Sequence, residues 1–307
     1  MKKLPDLEAW AIFSKIVETG SFAKAAAELS VSQATVSKAI TRLENRLNVV
    51  LLRRSSRGVS VTDAGYAVLE KARQIVEYGE QMESTATEQV GKLSGLIRVA
   101  APMSFGISHF APMLPDFMAA HPDVELHVDL SDDRVDLITN RFDFALRISH
   151  IVESSLVTQT LCTVRKLLVG SPAYFERYGR PKHPQDLIHH KALHYSYSPD
   201  GRSWKFHHNK FGSSPQIVPT PLQINNAEAL IPALNEGLGL ALQPEFLTWK
   251  ALQSGQLETA MDDWQVEPVV LHLAFPPGRP MPKRVQALVD YLTQRLNTEP
   301  WALPTHK

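Results

Sequence analysis

The sequence predicts an α+β multidomain protein: a small helical N-terminal domain closed by a two-stranded hairpin, one long helix, and a C-terminal α/β region of two units. Three observations carry this expectation. Over residues 6–47 apolar side chains recur at helical spacing in three short segments; over 49–62 the period switches to two; beyond residue 91 apolar strands alternate with helical stretches. A chain of 307 residues suits two or three domains.

Taken in order, Asp6 is placed to cap a first helix with Leu7, Trp10, Phe13 and Val17 along one face and Gly20 closing it. Ser21 caps a second, FAKAAAEL, whose Ala25, Ala26 and Ala27 let a neighbouring helix come close. The third lies in SVSQATVSKAITRLENRL, residues 30–47. It starts at Ser32 and carries Val36, Ile40, Leu43 and Leu47 as one apolar stripe. VVLLRRSSRGVSVT then reads as two short strands about a turn of Arg54, Ser55, Ser56, Arg57 and Gly58. Thr62 caps a long helix from Asp63 to Val90, with Val68, Leu69, Ala72, Ile75, Val76, Gly79 and Met82 on its apolar side. So narrow a seam on a long polar helix is suited to pairing with a second helix. Further on, LIRVAA, VELHVDL, FDFALRI, RKLLVG and GLGLAL read as strands, and 105–121, 134–139, 172–178 and 226–236 as helical. This alternation predicts parallel sheets covered by helices, with the final helix KRVQALVDYLTQRL returning to the first unit.

Composition narrows the function. Hydrophobic residues at 44% and charged residues at 21% sustain an ordinary core. Net charge is zero, yet residues 1–60 hold ten Lys/Arg against five Asp/Glu, whereas the remainder holds 22 against 27. The basic end is the one suited to a polyanion. Cys162 is the only cysteine, which excludes an intrachain disulfide and a cysteine zinc site. MKKLPDLEAW does not read as a secretory signal and no stretch approaches transmembrane length, so a cytoplasmic protein with no membrane partner is expected. No Walker loop, G-x-S-x-G or H-E-x-x-H occurs, so neither an enzyme nor a cofactor or metal is expected. His189-His190 and His207-His208 read as solvated loops, Asp132-Asp133 as adjacent acids facing different ways, and Trp204, Trp249 and Trp264 as packing residues.

The third helix is more informative. With its apolar stripe inward, Ala34, Thr35, Lys38, Thr41, Arg42 and Asn45 face outward, Ser37 lies on the flank and Gln33 in the first turn. A face meant only for solvent would favour Glu and Lys, yet Glu44 is the only acid between Lys38 and Arg57. A short helix and the turn LSVS precede it, the order of a helix-turn-helix. Hydroxyls, an amide and a methyl match base edges, while Lys38 and Arg42 match guanine or phosphate. The hairpin that follows adds Arg53, Arg54 and Arg57 for backbone or minor-groove contact. Double-stranded DNA of a promoter or operator is therefore the expected partner. The expected contacts are Ser32 (chiefly the helix start), Gln33, Ala34, Thr35, Ser37, Lys38, Arg42, Arg53, Arg54 and Arg57.

DLEAWAIFSKIVETGSFAKAAAELSVSQATVSKAITRLENRLNVVLLRRSSRGVSVTDAG, residues 6–65, closely resembles the N-terminal domain of LysR-type transcriptional regulators. The likeness continues through LIRVAAPMSFG, LSDDRVDLI, DFALRIS, SSLVTQTL, GSPAYFERYGRP, NNAEAL and GLGLAL, covering nearly the whole chain. The resemblance implies a winged helix-turn-helix, a dimerising linker helix, and an α/β effector domain of type-2 periplasmic-binding-protein architecture with two Rossmann-like subdomains. The bounds it suggests are 1–62, 63–91 and 92–300, with subdomain I about 92–162 and 268–300 and subdomain II about 163–267. It also implies assembly to a dimer and tetramer, an unknown small-molecule effector, and RNA polymerase as a candidate partner. Asn48 stands where the family usually has Gly, and Val50 leaves the wing approach one basic residue short; Ser30 is a tolerated small residue in the turn. Ser104, Ser131, Arg147, Ser149, Tyr195, Tyr197, Asn225 and Asn226 fall where the resemblance places the effector cleft. Ser104 and Asn226 also suit helix capping, and Arg147 a pairing with Asp143 or Asp129. The rival reading is a small-molecule binding protein or enzyme whose N-terminus only mediates assembly.

Overall fold

Short polar side chains start each of the N-terminal helices. In the computed structural model α1 (Leu7–Thr19) begins where Asp6 Oδ1 accepts the Ala9 N–H at 3.2 Å and ends at Gly20 with φ 65°. Ser21 caps α2 (Phe22–Glu28), and Ser32 caps α3 (Gln33–Leu47) by accepting the Thr35 N–H at 3.0 Å. The turn between them passes through Ser30 at φ 55°, and α3 ends at Asn48 at φ 53°, the left-handed cap that Asn tolerates after Gly. The structure describes residues 4–55, 58–88, 92–133, 135–149, 156–198, 201–278 and 281–304. The chain divides into two units, Met1–Gly91 and Lys92–Lys307.

The core of the first unit is Ala9, Ile12, Phe13 and Ile16 of α1, Phe22, Ala25 and Ala26 of α2, and Val36, Ala39, Ile40 and Leu43 of α3. Each of the larger side chains contributes roughly 1.5–3 kcal/mol by leaving water. Two faces differ from the sequence expectation. Leu7 is 54% exposed, because α1 is apolar around much of its circumference and packing on α3 and α4 selects the neighbouring stripe. Leu47 is 41% exposed: beyond Leu43 the core is completed by Leu51 and Leu52 instead. Ala27 also lies outside, leaving Ala25 and Ala26 at the close approach.

The hairpin of β1 (Leu52–Ser55) and β2 (Gly58–Val61) is antiparallel, with Leu52 opposite Val61. Glu44 ties it to α3, its Oε1 accepting the N–H groups of Leu51 and Leu52 at 2.8 and 3.1 Å. Thr62 donates its hydroxyl to the Val50 carbonyl at 2.8 Å and accepts the Gly65 N–H at 3.1 Å, capping α4 (Asp63–Glu88). Gly65 has no substitute there, since a Cβ would stand 2.5 Å from the Leu51 carbonyl oxygen. Along α4, Leu69 and Ala72 are buried, Val68, Ile75, Val76 and Gly79 half-buried, and Met82 is 70% exposed. Val90 lies outside the described residues.

In the second unit β3 (Gly95–Ala101) leads into α5 (Met103–Phe105), which passes through a π turn at Gly106–Phe110 into α6 (Ala111–Ala120). β4 (Val124–Leu130), β5 (Phe144–Ser149) and β6 (Val157–Val164) follow. The chain then builds β7 (Lys166–Gly170), α7 (Pro172–Tyr178), β8 (Leu193–Tyr195), β9 (Ser203–His208), β10 (Gly212–Ile217), β11 (Leu222–Ile224), α8 (Ile231–Asn235), β12 (Ala241–Pro244), α9 (Glu245–Gln253) and β13 (Glu258–Thr259). It returns through β14 (Val269–Phe275), α10 (Lys283–Leu296) and β15 (Ala302–Leu303). The large sheet has the order β15-β6-β14-β5-β3-β4, and the second region holds β12-β7-β13 together with the pairs β8-β11 and β9-β10. Phe105, Phe110 and Phe117 join Val285, Leu288, Val289 and Leu292 of α10 in the core of the large sheet.

Among the described strands, the expected parallel pairing holds only for β4-β3-β5 and β8-β11. β6 and β14 pair antiparallel because one carries the chain out of the large sheet and the other brings it back; β7 likewise pairs antiparallel with both neighbours. The helix expected at 134–139 is instead a run of turns in its described part: Asp136 accepts the N–H groups of Ile138 and Thr139 and the Thr139 hydroxyl, and Arg141 follows at φ 58°. The segment 226–236 splits into a single 3-10 turn, Glu228–Leu230, and α8, which carries Pro232 in its first turn. His190 is buried against the Tyr174 hydroxyl at 3.1 Å, and His207 and His208 stand on β9, so neither pair is simply a solvated loop.

Replacing Glu44 with Ala is expected to cost about 1–3 kcal/mol, since it leaves two amide donors without their carboxylate. Thermal melting should move down by several degrees with helical circular dichroism retained; an unchanged melting temperature would show that water satisfies those amides equally well.

Candidate nucleic-acid interface and ligand cavity

Around α3 the expected contact residues divide by what already holds them. Gln33, Ala34, Thr35, Lys38, Thr41 and Asn45 are exposed and Ser37 is half-buried. The Ser32 hydroxyl lies 2.8 Å from that of Thr35 as well as capping the helix, so both hydroxyls belong to the helix start. Thr41 donates back to the Ser37 carbonyl at 3.0 Å. Arg42 is committed to the fold: Nε and Nη2 hold the Asp6 carboxylate at 2.5 and 3.0 Å, and Nη2 reaches Glu8 at 3.3 Å. That hydrogen bond holds the Asp6 carboxyl below its ordinary range. Asp6 thus caps α1 and anchors α3 at once. Arg53 is exposed on β1; the Arg54 side chain and all of Arg57 lie outside the described residues.

The second unit encloses a cavity of about 590 Å³ between the large sheet and the β7–β13 region. Ser104, Ser131, Arg147, Ser149, Tyr195 and Tyr197 all line it. Asn225 is exposed and Asn226 half-buried, and neither is among the lining residues. Asn226 acts behind the wall. Its Oδ1 accepts the Ser104 hydroxyl at 3.3 Å and the Ala229 N–H at 3.0 Å, while Nδ2 donates to Asp132 at 3.4 Å. Asp132 Oδ1 also accepts the Met103 N–H at 2.9 Å, at the head of α5. Tyr197 donates to Asp133 at 3.0 Å, and Arg147 donates to the Val135 carbonyl at 3.1 Å. Polar bonds therefore tie the two sides together: Ser104, Asp132 and Asp133 from the large-sheet side, Asn226, Glu228 and Tyr197 from the other.

Several lining residues were not expected. Asp132 and Asp133 sit in a bend, where adjacent side chains can face the same space. His194, Trp204, Lys205, Gln243 and His272 also line the cavity. Gln243 is fully buried on β12; its Nε2 donates to the Ala227 carbonyl at 3.0 Å, and its Oε1 has no hydrogen-bond partner among the described residues. Such an acceptor costs about 1–3 kcal/mol. The signal was present as a lone amide inside the apolar run LALQPEF. Burial pushes the carboxyl of Asp132 and the phenol of Tyr195 up and the imidazole of His194 down, favouring the neutral form of each.

The sides are joined where the chain crosses between them. Arg165, between β6 and β7, makes two bonds of 2.8 and 2.6 Å to Glu245, whose side chain is 3% exposed at the head of α9. Among the described residues no three His, Cys, Asp or Glu side chains are grouped to hold a metal, and no helix is long and apolar enough to cross a membrane. Burial pushes the Cys162 thiol up to about 12, which keeps it protonated.

Residues 7–66 match the family model for the bacterial regulatory helix-turn-helix protein, lysR family, and residues 91–297 match the LysR substrate binding domain. An HTH-type transcriptional regulator of Xanthomonas campestris pv. campestris is 34% identical over 300 residues, covering 95% of this chain and 86% of that protein. An uncharacterized HTH-type transcriptional regulator of Haemophilus influenzae is 31% identical over 283 residues, covering 92% and 98%. The full-length structure of the Vibrio cholerae virulence activator AphB, a member of the LTTR protein family, matches with TM-score 0.59 at 25% identity, covering 94% of this chain and 99% of that one.

Asp132 has a folded-state pKa above its ordinary value of 3.8, so the folded state binds more protons than the unfolded chain once the pH exceeds about 4. Its contribution is complete below that pH and is lost as pH rises through the folded pKa. Asp132→Asn should therefore gain on the wild type in melting temperature between about pH 4 and pH 7; a constant difference across that range would contradict the burial effect.

Proposed function

Since the chain belongs to the LysR family, a family of DNA-binding transcriptional regulators whose second domain binds effectors, we propose how its residues divide that work. Residues 1–62 form the DNA-binding domain and 63–91 the linker through which two copies pair. Residues 92–300 form the effector domain, with subdomain I about 92–162 and 268–300 and subdomain II about 163–267. The observation that carries the DNA reading is the make-up of α3: a buried stripe behind, and Gln33, Ala34, Thr35 and Lys38 exposed in front without an acid among them. These residues, with Ser37, enter the major groove. Ser32 starts the helix, and Arg42 is a positioning residue that aims the helix through Asp6. Arg53, Arg54 and Arg57 meet the phosphates or the minor groove.

Two copies joined along α4 present two such faces to successive major grooves of a partly palindromic site. Tyr78 and Met82, exposed towards the far end of the helix, suit that pairing. A small effector held by the cavity shifts the balance between assemblies, dimer or tetramer, to the extent that it binds them unequally. Because its walls come from both sides of the crossover, the cavity couples a ligand to their relative position. A cytoplasmic location and contact with RNA polymerase complete the proposal.

A gel-shift with DNA upstream of the protein's own gene, in excess competitor DNA, tests it. A specific complex is expected. Gln33→Ala should weaken it by about 1–3 kcal/mol at one base position, and Lys38→Ala should weaken it and lower the salt dependence. A footprint unchanged in both variants would overturn the assigned face, and only sequence-indifferent, salt-sensitive binding would overturn the regulator's mechanism.

A further inference from the structure

We propose that His190 is an acid-sensitive switch behind the cavity wall: while neutral it holds the chain where it enters β8, and on protonation it lets that chain go. The geometry begins with Tyr174 of α7, which is buried. Its hydroxyl oxygen accepts the Lys191 N–H at 3.0 Å and lies 3.1 Å from His190 Nδ1. These are its hydrogen-bond partners among the described residues, and a phenol has a single proton to give. Every group is satisfied only when that proton goes to Nδ1, which makes the ring the neutral tautomer with its own proton on Nε2. A second proton on the ring would have to sit on Nδ1. Two donors would then converge on the Tyr174 oxygen, and the phenol proton would be buried without an acceptor.

What this relay holds is the approach to β8. The Lys191 carbonyl accepts the Leu240 N–H at 2.8 Å, the Ala192 N–H goes to the Pro219 carbonyl at 2.7 Å and the Leu193 N–H to the Leu240 carbonyl at 2.7 Å. Gly239 is pressed against the same residue, since a Cβ there would stand 2.6 Å from the Lys191 carbonyl oxygen. Lys191 is thus held through both its N–H and its carbonyl, and Leu193, His194 and Tyr195 just beyond it all line the cavity. A consequence for ligand uptake rests on reading that cavity as the effector site; the switch itself does not. Burial holds the His190 imidazole below its ordinary value of 6.5; the Asp186 carboxylate works against that and His189 with it. Asp186 and His189 come from the turn Pro184–His189, and α7 brings Tyr174 and Tyr178. Burial pushes the Tyr174 phenol up, which keeps it a donor, and the Lys191 Nζ lies 5.7 Å from the centre of the Tyr178 ring. The folded state therefore binds fewer protons than the unfolded chain as the pH drops below about 6.5. The neutral arrangement is complete above that pH and is lost as the pH falls through the folded pKa.

The test is amide hydrogen exchange of the full-length protein, read by mass spectrometry on peptides spanning residues 187–196 and corrected for the intrinsic pH dependence of exchange. From about pH 7.5 to about pH 5 the protection of this segment should fall at least about fivefold, while peptides from β3 and β14 keep theirs. His190→Asn, which keeps an acceptor near the Nδ1 position but does not titrate, should hold the neutral-pH protection at both values. Tyr174→Phe, which removes both bonds, should be poorly protected at both. His189→Asn, at an exposed neighbour, should show the same acid loss as the unaltered protein. Equal protection at the two pH values in the unaltered protein would overturn the switch. So would a loss shared by β3 and β14, a loss that persists in His190→Asn, or one that vanishes in His194→Asn. The unaltered protein and His194→Asn decide the question whether or not the other variants fold. No ligand enters these measurements, so the switch stands or falls separately from the assignment of the cavity.

Discussion

One fifteen-residue helix has to be two things at once, and the first unit is arranged around that demand. Val36, Ala39, Ile40 and Leu43 must be buried for the three helices to hold together, while the opposite side must stay polar and uncovered. Burial alone fixes only the distance of α3 from its neighbours. Its rotation and tilt are set by polar anchors at its edges. Ser32 fixes where it starts, Arg42 locks onto Asp6 at the head of α1, and Glu44 grips the amides that open the hairpin. An exposed ion pair is worth little by itself, so the value of the Arg42–Asp6 pair lies in geometry rather than energy. Asp6 also caps α1, and a shift of α3 would therefore cost a helix cap as well.

The second unit solves a different problem, a binding space assembled from distant parts of the chain. Residues near 104, 132, 147, 195 and 243 reach one cavity because the chain leaves the large sheet at β6 and returns at β14. The crossing is held by Arg165 on the buried Glu245 carboxylate, while the cavity wall is held by weaker, longer bonds through Asn226. Rigid at the crossing and loosely latched across the cavity, the unit keeps its covalent path fixed and leaves the opposing walls able to respond to what they enclose.

The helix starts were readable because caps are local: Asp6, Ser21, Ser32 and Thr62 lie within three residues of the amides they satisfy. The exposed polar face of α3 followed from the same local periodicity. What could not be read were choices made by tertiary partners. Periodicity allowed two stripes on α1, and only the neighbours decided that Ile12 and Ile16 rather than Leu7 would be covered. The antiparallel direction of β14 depends on a return over more than a hundred residues. Arg42 matches guanine or phosphate in the sequence, and only the fold brings it onto Asp6, thirty-six positions away. Asn226 reads locally as a helix cap and does accept the Ala229 N–H, but its bonds to Ser104 and Asp132 carry no local signal, and a single amide such as Gln243 in an apolar run has no periodic signature.

Gly65 joins these themes mechanically. With the Leu51 carbonyl where a Cβ would have to be, the hairpin base and the first turn of α4 are in direct contact, and no side chain lies between them to absorb a displacement. α4 runs 26 residues, about 39 Å at 1.5 Å per residue. A pivot of only a few degrees about its N-terminus displaces the far end by about 2–3 Å over that length. Whatever grips the distal turns of that helix therefore holds the long arm of a lever whose short arm carries the arginines of the hairpin. Small torques at one end become changes of pitch at the other.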